Sequence, residues 1–256
     1  MNSRNGIARI RGALTLAAAA ITATTSAGVM AQDTRALAAQ VEALAAQVRA
    51  LSAANAALTR KLACISAEDG LGKVPDIVFS GCNVRVINGM GETATTNGLG
   101  NLVVGYGEGQ GALDRTGSHN LVVGPMHGYS SHGGLVAGRG NSVTAPAASV
   151  LGGELNQAAS EAASVAGGRH NRATGLASSV LGGFNNRATG MSSSVSGGGA
   201  NKATGDASTV AGGYINEASG VGASVSGGLE NVASGVESTV GGGLRVNIST
   251  YRGHSP

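Results

Sequence analysis

Large aromatic side chains are almost absent from this sequence. It contains no Trp, two Phe and four Tyr among 256 residues, whereas Gly occupies 44 positions. Large apolar side chains normally fill the core of a globular domain, so an ordinary thick-cored domain is excluded. Gly and other small residues instead suit thin, layered structures in which backbones approach one another closely.

Charged residues are also scarce, at 12% of the chain, and the formal net charge of +3 depends on the N-terminus. Met1 to Ala31 have the pattern of a secretory signal peptide, with a small-residue cleavage site at Val29–Ala31 and three basic residues before an apolar stretch, namely Arg4, Arg9 and Arg11. A transmembrane anchor is the competing interpretation, but the apolar stretch is short and contains Thr and Ser. Removal of the signal leaves 14 basic and 14 acidic residues. The mature chain is therefore expected to be neutral, exported, without a transmembrane anchor and not a nucleic-acid binder.

The strongest positive signal is a fifteen-residue repeat in the C-terminal half. Each of seven units has a Val followed two residues later by a Gly pair, and the valines are Val150, Val165, Val180, Val195, Val210, Val225 and Val240. Asn recurs at the same period in six units, from Asn156 to Asn231. A Gly/Ser-rich disordered linker is the alternative, but strict placement of three residue types argues against it. Such periodicity predicts a mainly β fold, a parallel β-solenoid of stacked layers.

Each unit suggests two short extended pieces separated by turns. The Val of the first piece and the Ala of the second, Ala158 to Ala233 at the same period, are predicted to face inward as a thin core. Gly and Asn tolerate left-handed backbone angles, so both are expected at corners. The variable residues beside each Asn are expected on solvent-facing turns. A mostly apolar column outside this core is a candidate interchain contact: Leu176, Met191, Val221 and Val236, with Glu161 and Asp206 as exceptions.

A helical segment is predicted between residues 33 and 63. Its apolar residues alternate spacings of four and three, which is a coiled-coil heptad seam, formed by Leu37, Val41, Leu44, Val48, Leu51, Asn55, Leu58 and Leu62. Such a seam would face water in a monomer, so these residues are predicted to mediate oligomerisation. Val at position a with Leu at position d favours two strands by itself.

The two cysteines, Cys64 and Cys82, can form one intrachain disulfide, and export makes oxidation possible. An interchain bond is the alternative. Cys64 falls on the outer face of the predicted coiled coil, where a bond across the seam is awkward, so the intrachain bridge is favoured. Residues 64–100 are predicted to form a connector with short strands at Asp76–Ser80 and Asn83–Ile87. Irregular repeats then occupy 101–148, regular repeats 149–243 and a tail 244–256.

With these units in view, the chain resembles the YadA-like head repeats of trimeric autotransporter adhesins. The resemblance rests on Ser179–Gly183 with Ala188–Gly190, and on Ser194–Gly198 with Ala203–Gly205. It implies a left-handed parallel β-roll, three chains about one axis and coiled-coil stalks, and therefore a homotrimer instead of a dimer. Four features depart from the family. Gly replaces its Ile, the unit is one residue longer than the common form, and Leu244–Pro256 lack the translocator barrel. The stalk also precedes the head, as in phage-type or other secreted fibres.

Few residues form a pattern typical of a catalytic, metal-binding or phosphate-binding site. His127, Tyr129 and His132 share one inserted loop, but no carboxylate or ligand spacing accompanies them, so surface loop residues are the better interpretation and no metal is expected. The recurring Ser residues lack a His/Asp constellation, and the Gly-rich run Gly105–Gly111 lacks the Lys-Ser/Thr of a phosphate loop. No enzymatic activity and no cofactor are expected.

The sequence therefore predicts an extracellular or bacterial cell-surface fibre that recognises a host, cell or matrix surface through a protein or glycan receptor. Its candidate ligand contacts are His127, Tyr129 and His132 in the loop and the aromatic residues Phe184 and Tyr214 on the turns. Packing against neighbouring turns or neighbouring chains is the alternative role for the two aromatic residues. A structural spacer without a ligand is the second functional class. An ice-binding solenoid is the third, but its hydroxyl column is mostly Ser and lies close to basic residues.

Overall fold

A computed structural model describes residues 27–69, 75–109 and 113–255. The chain divides into two compact units, Met1–Val84 and Arg85–Pro256. The predicted signal peptide lies mostly outside the described residues.

The first unit contains one helix and one β-hairpin. Helix α1 spans Ala27–Lys61, so it begins before the predicted start at Asp33 and ends where the heptad pattern ends. Strands β1 (Ile65–Asp69) and β2 (Pro75–Phe79) pair antiparallel, with Ile65 opposite Phe79. The Sγ atoms of Cys64 and Cys82 are bonded, which confirms the intrachain disulfide.

The connector was predicted only in part. β2 matches the strand expected at Asp76–Ser80, but the strand expected at Asn83–Ile87 is wrong, because that segment has no regular pairing. The partner of β2 is Ile65–Asp69, whose sequence Ile-Ser-Ala-Glu-Asp has no strong strand signal. Its conformation depends on pairing with β2 and on the disulfide beside it, which local propensity does not report.

The second unit is a parallel β-solenoid. One sheet of 11 strands, which we name the valine sheet, contains one strand from each turn: Leu102–Val104, Leu121–Val123, Leu135–Ala137, Ser149–Val150, Ser164–Val165, Ser179–Val180, Ser194–Val195, Thr209–Val210, Ser224–Val225, Thr239–Val240 and His254–Ser255. Adjacent strands are in register at the repeat period, so that Val165 lies opposite Val150 and Val180.

The opposite sheet, which we name the alanine sheet, has nine strands: Gly128–Tyr129, Ser142–Val143, Gln157–Ala158, Arg172–Ala173, Arg187–Ala188, Lys202–Ala203, Glu217–Ala218, Val232–Ala233 and Asn247–Ile248. A column of isolated parallel bridges from Arg139 to Leu244 links the turns at a third position. Because a two-residue strand has little stability alone, the turns depend on hydrogen bonds to their neighbours, such as Leu151 N–H to Val165 O at 2.9 Å.

The core is as thin as the sequence predicts. The repeating Val and Ala residues of the two sheets are almost inaccessible to solvent, and small residues such as Ala148 and Ala163 fill the space beside them. Thin layers of this kind need few large side chains, which accounts for the scarcity of aromatic residues.

The left-handed backbone angles predicted for the recurring Asn residues are wrong. Asn156, Asn171 and their equivalents are buried inside the solenoid and do not have positive φ. The left-handed residue is the one before each Asn, including Leu155 (φ 56°) and Ile215 (φ 59°). The second Gly of each pair does have positive φ, as at Gly183 (φ 84°), so the corner role of that Gly is confirmed.

Candidate functional site

His127 lies inside the solenoid instead of on a surface loop. It is 1% exposed, its Nδ1 accepts the Asn141 backbone N–H at 3.2 Å, and its Nε2 contacts Val123 O at 3.0 Å. His127 therefore occupies the buried position that Asn fills in the following turns. Its side chain is enclosed and both ring nitrogens have backbone partners, so this turn presents no exposed part of His127 for the predicted ligand contact.

The other two loop residues are also part of the stack. Tyr129 belongs to the alanine sheet and packs partly against the core, while its backbone N–H donates to Asp114 O at 2.7 Å. His132 is half-buried, and its backbone pairs with Ser118. The segment is therefore a further solenoid turn and not a free loop, so it does not form a cluster of exposed side chains.

The two aromatic residues of the regular repeats, Phe184 and Tyr214, are exposed on the column of isolated bridges. Phe184 is 51% and Tyr214 52% exposed, and the bridge column places Gly199 between them. The Tyr214 ring leans over Gly199, where an added Cβ would lie 2.8 Å from the ring. Phe184 makes an edge-to-face contact with His170, with ring centroids 5.9 Å apart. The structure thus brings His170, Phe184 and Tyr214 onto one ridge and leaves both candidate contact residues accessible.

The variable residue after each Asn was expected on a turn, but it is the first residue of an alanine-sheet strand. Side chains alternate in a strand, so with Ala188 buried, Arg187 and Thr189 on either side face solvent. The outer surface of this sheet is therefore built from the variable column and a neighbouring hydroxyl column. The period-two alternation around each Ala could have identified this from the sequence.

Charged residues in adjacent turns are arranged with alternating sign. The described residues form five ion pairs, and each joins positions fifteen residues apart: Arg139–Glu154, Glu154–Arg169, Lys202–Glu217, Glu230–Arg245 and Glu237–Arg252. Arg172 and Arg187 depart from this arrangement. They lie opposite one another in register, and no carboxylate of the described residues pairs with either.

Two ionisable groups are shifted by hydrogen bonds. The hydroxyl and the backbone N–H of Thr116 both donate to Asp114, and they hold the pKa of its carboxyl below the usual value. The hydrogen bond and the charge of Glu230 raise the pKa of Arg245 above its usual value. Both residues are exposed, so these shifts describe local pairing and do not mark a catalytic group.

The N-terminal turns of the solenoid contain a shallow indentation. It is lined by residues that include Arg85, Asn88, Glu92 and His119. Both ring nitrogens of His119 have backbone partners. Its Nε2 accepts the Asn88 N–H at 3.2 Å, and its Nδ1 contacts Thr93 O at 3.1 Å. Among residues 27–69, 75–109 and 113–255, no group of three or more His, Cys, Asp or Glu residues could hold a metal ion.

The heptad residues are exposed in the single chain. The apolar a and d residues from Leu37 in α1 to Leu62 just after it are between 48% and 64% exposed, and Asn55 is also exposed. A sustained apolar stripe that the described residues of its own unit leave exposed is unusual on a stable surface helix. No helix in the described segments is long and apolar enough to cross a membrane.

Comparison with known proteins gives one short match. Residues 208–220 match the ubiquitous surface protein adhesin repeat family. The matched segment, Ser208 to Gly220, covers nearly one turn and includes Val210, Tyr214 and Ala218. No curated protein sequence matches the chain.

Proposed function

We propose that this protein is an adhesin-like fibre displayed outside the cell, with the solenoid as its recognition surface. The observation that carries the proposal is the position of the adhesin-repeat match. It falls on one turn of a solenoid whose neighbouring turns repeat the same Val, Gly, Asn and Ala positions in register. The match suggests an adhesin-like surface protein, and the resemblance to YadA-like heads extends the same expectation to the other turns.

The arrangement of the solenoid suits display of a variable surface. Constant residues form the core and corners, whereas the variable residues point outward from the alanine sheet and from the bridge column. Substitution at these outward positions changes the surface without changing the stack. Phe184 and Tyr214 are the apolar contacts that we assign to a receptor on a host cell or matrix, because exposed aromatic side chains often dominate binding energy.

We further propose that the protein acts as a homotrimer. The exposed seam of α1 supplies a coiled-coil interface, and a coiled coil would bury it. In the solenoid, the outward residues of the valine sheet from Ser149 to Gly241 are Ser, Thr, Ala, Leu or Gly, and none is charged. This neutral face, together with the apolar column of Leu176 and Met191, is the face that we assign to neighbouring chains, since interface cores are depleted in charge.

We also propose that an N-terminal signal peptide exports the chain and that the protein has no catalytic activity. A signal peptide would deliver the chain to a compartment in which Cys64 and Cys82 oxidise. The repeated Ser and Thr residues of the valine sheet form a column from Ser149 to Thr239 that ends at His254. No Asp lies in this described column, so we assign its hydroxyl groups a structural role.

Binding of the mature protein to immobilised glycans, matrix proteins and cells tests the recognition role. Saturable binding that Phe184→Ala and Tyr214→Ala weaken would support the proposal. A chain that binds none of these surfaces would instead be a structural spacer.

Light scattering coupled to size-exclusion chromatography tests the oligomer. We expect three times the mass of the mature chain, and a lower mass for Leu44→Asn/Leu51→Asn. The matched control, Ala46→Asn/Ala53→Asn, places the same side chain at position f of the same heptads and should remain trimeric. A monomeric mass for the unsubstituted protein would overturn the trimer and both of its interfaces.

A further inference from the structure

The alanine sheet carries a column of like charges on its outer face. Arg172 pairs in register with Arg187, and Arg187 with Lys202, so three cations occupy consecutive turns. Neighbouring strands in a sheet lie about 4.8 Å apart. Like charges directly opposite one another destabilise a sheet, so this column opposes the folding of the solenoid.

Elsewhere in the described solenoid, charged residues in adjacent turns pair with residues of opposite charge. Glu154 lies between Arg139 and Arg169, and Arg245 and Arg252 each contact a Glu one turn away. Lys202 has Glu217 at 3.5 Å on the side away from Arg187. The described carboxylates thus leave Arg172 and Arg187 without an acidic partner, although both are exposed. An anion from outside the chain would relieve their repulsion.

Hydroxyl groups flank the cations. Thr174, Thr189 and Thr204 lie two residues beyond the three basic residues, on the same outward face and in the same turns, and all three are exposed. Each turn therefore presents one cation and one hydroxyl at the same height. A flexible side chain with several N–H donors beside a hydroxyl matches the oxygen atoms of a sulfate or carboxylate group.

We propose that Arg172, Arg187 and Lys202, with the three Thr residues beside them, bind a linear sulfated polysaccharide that runs along the solenoid axis. The site rests on the proposed function, since such polymers belong to the outside of cells. Arg binds sulfate through paired N–H groups, and the spacing of the turns repeats the contact along the polymer. The periodicity that builds the stack also builds the binding site.

The composition of this face favours a polysaccharide over other polyanions. Single-stranded nucleic acids bind to surfaces on which bases stack on aromatic rings, and the outward residues of these three strands include no aromatic ring. Protein partners are usually anchored by large side chains in apolar pockets, which a flat face of Arg, Lys and Thr does not offer. A sulfated polysaccharide carries hydroxyl and charged groups, so its binding requires neither aromatic rings nor apolar pockets.

Binding to dextran sulfate, with uncharged dextran as the reference polymer, tests the site. The mature protein should bind dextran sulfate and not dextran, and the affinity should fall as salt increases. Arg172→Gln/Arg187→Gln should weaken binding about tenfold or more, because each substitution removes hydrogen bonds to a charged group. The double variant should fold normally, since it removes a repulsion.

The matched control is Arg245→Gln/Arg252→Gln, which removes the same net charge from residues already paired with Glu. Unchanged binding by this control supports a local site. Equal weakening by both double variants would show that net charge alone governs binding and would overturn the site. Single-stranded DNA that competes at equal concentration would overturn the assignment to polysaccharide.

The outcomes separate this inference from the proposed function. Receptor binding that persists in Arg172→Gln/Arg187→Gln, alongside lost binding of dextran sulfate, supports both the adhesin role and a distinct polyanion site. Absence of any binding to dextran sulfate by a protein that still binds cells overturns only the polysaccharide site. Absence of binding to cells by a protein that retains dextran sulfate binding overturns only the receptor role.

Discussion

The side-chain Oδ1 of Asn171 accepts the backbone N–H of Asn186 at 2.9 Å, one turn along the stack. Asn186 does the same for Asn201, and the ladder continues through Asn216 to Asn231. Each amide also donates from Nδ2 to two Gly carbonyl groups, as Asn186 does to Gly182 and Gly198. The column thus satisfies backbone groups at a corner that the solenoid buries.

Replacement of one ladder residue should destabilise the whole stack. Asn186→Ala leaves the buried Asn201 N–H without its acceptor and the Gly182 carbonyl without its donor, and Gly198 O keeps only the Phe184 N–H. We therefore expect the unfolding free energy to fall by about 3 kcal/mol. The control, Asn185→Ala, changes an exposed residue whose equivalent one turn later is already Ala200, and it should cost less than about 1 kcal/mol. Equal denaturant midpoints for the two variants would contradict the ladder as a source of stability.

The two residues of each Gly pair should respond differently to Ala. Gly183 has φ 84°, and an added Cβ would collide with the carbonyl oxygen of Gly198, so Gly183→Ala should cost several kcal/mol or prevent folding. An added Cβ at Gly182 meets nothing within 4 Å. Gly182→Ala should therefore leave the melting temperature almost unchanged. Circular dichroism melts of the two variants check the prediction, and similar losses from both would refute it.

His127 should be replaceable by Asn but not by Ala. His127 accepts from Asn141 N–H and contacts Val123 O, which are the partners that an Asn has at this position in later turns. We expect His127→Asn to retain most of the stability, and His127→Ala to lose about 2 kcal/mol because a buried N–H loses its acceptor. Denaturant unfolding of the two variants measures the difference. If Ala proved as stable as Asn, the ladder would not begin at His127.

Ile215 should be a source of strain. It has φ 59°, a conformation that a β-branched residue rarely adopts, and it is 45% exposed. Ile215→Asn should raise the free energy of unfolding by about 1 kcal/mol, since Asn tolerates this backbone region. Ile215→Val keeps the branched Cβ and should give no gain. A stabilisation by Val equal to that by Asn would point to side-chain solvation instead of backbone strain.

Prediction from sequence succeeded where the signal repeats within one unit. Local spacing predicts the inward Val and Ala columns and the second Gly of each pair. It also places the end of α1 within two residues of Lys61. The Cys64–Cys82 bond is the favoured of two pairings. Predictions for Asn and His127 are wrong because the partners of these residues lie in neighbouring turns. Left-handed angles were assigned to Asn itself because isolated Asn residues favour turns, but each buried Asn has its partners in neighbouring turns. His127 was placed on a loop because the inserted spacing concealed that its segment forms a turn of the stack.

The sequence by itself determined the period, the residues that alternate between core and surface, and therefore a layered β-solenoid. These properties depend on which side chains recur every fifteen residues, and burial of Val and Ala needs no further information. Only the tertiary structure decided which way the Asn column faces, which residue takes the left-handed angle and which charges become neighbours. The reason is physical: residues one turn apart are fifteen positions apart in the chain, yet they touch only after the backbone has coiled. Arg172 and Arg187 are fifteen residues apart in the sequence, and the stack places them opposite one another on the same outer surface.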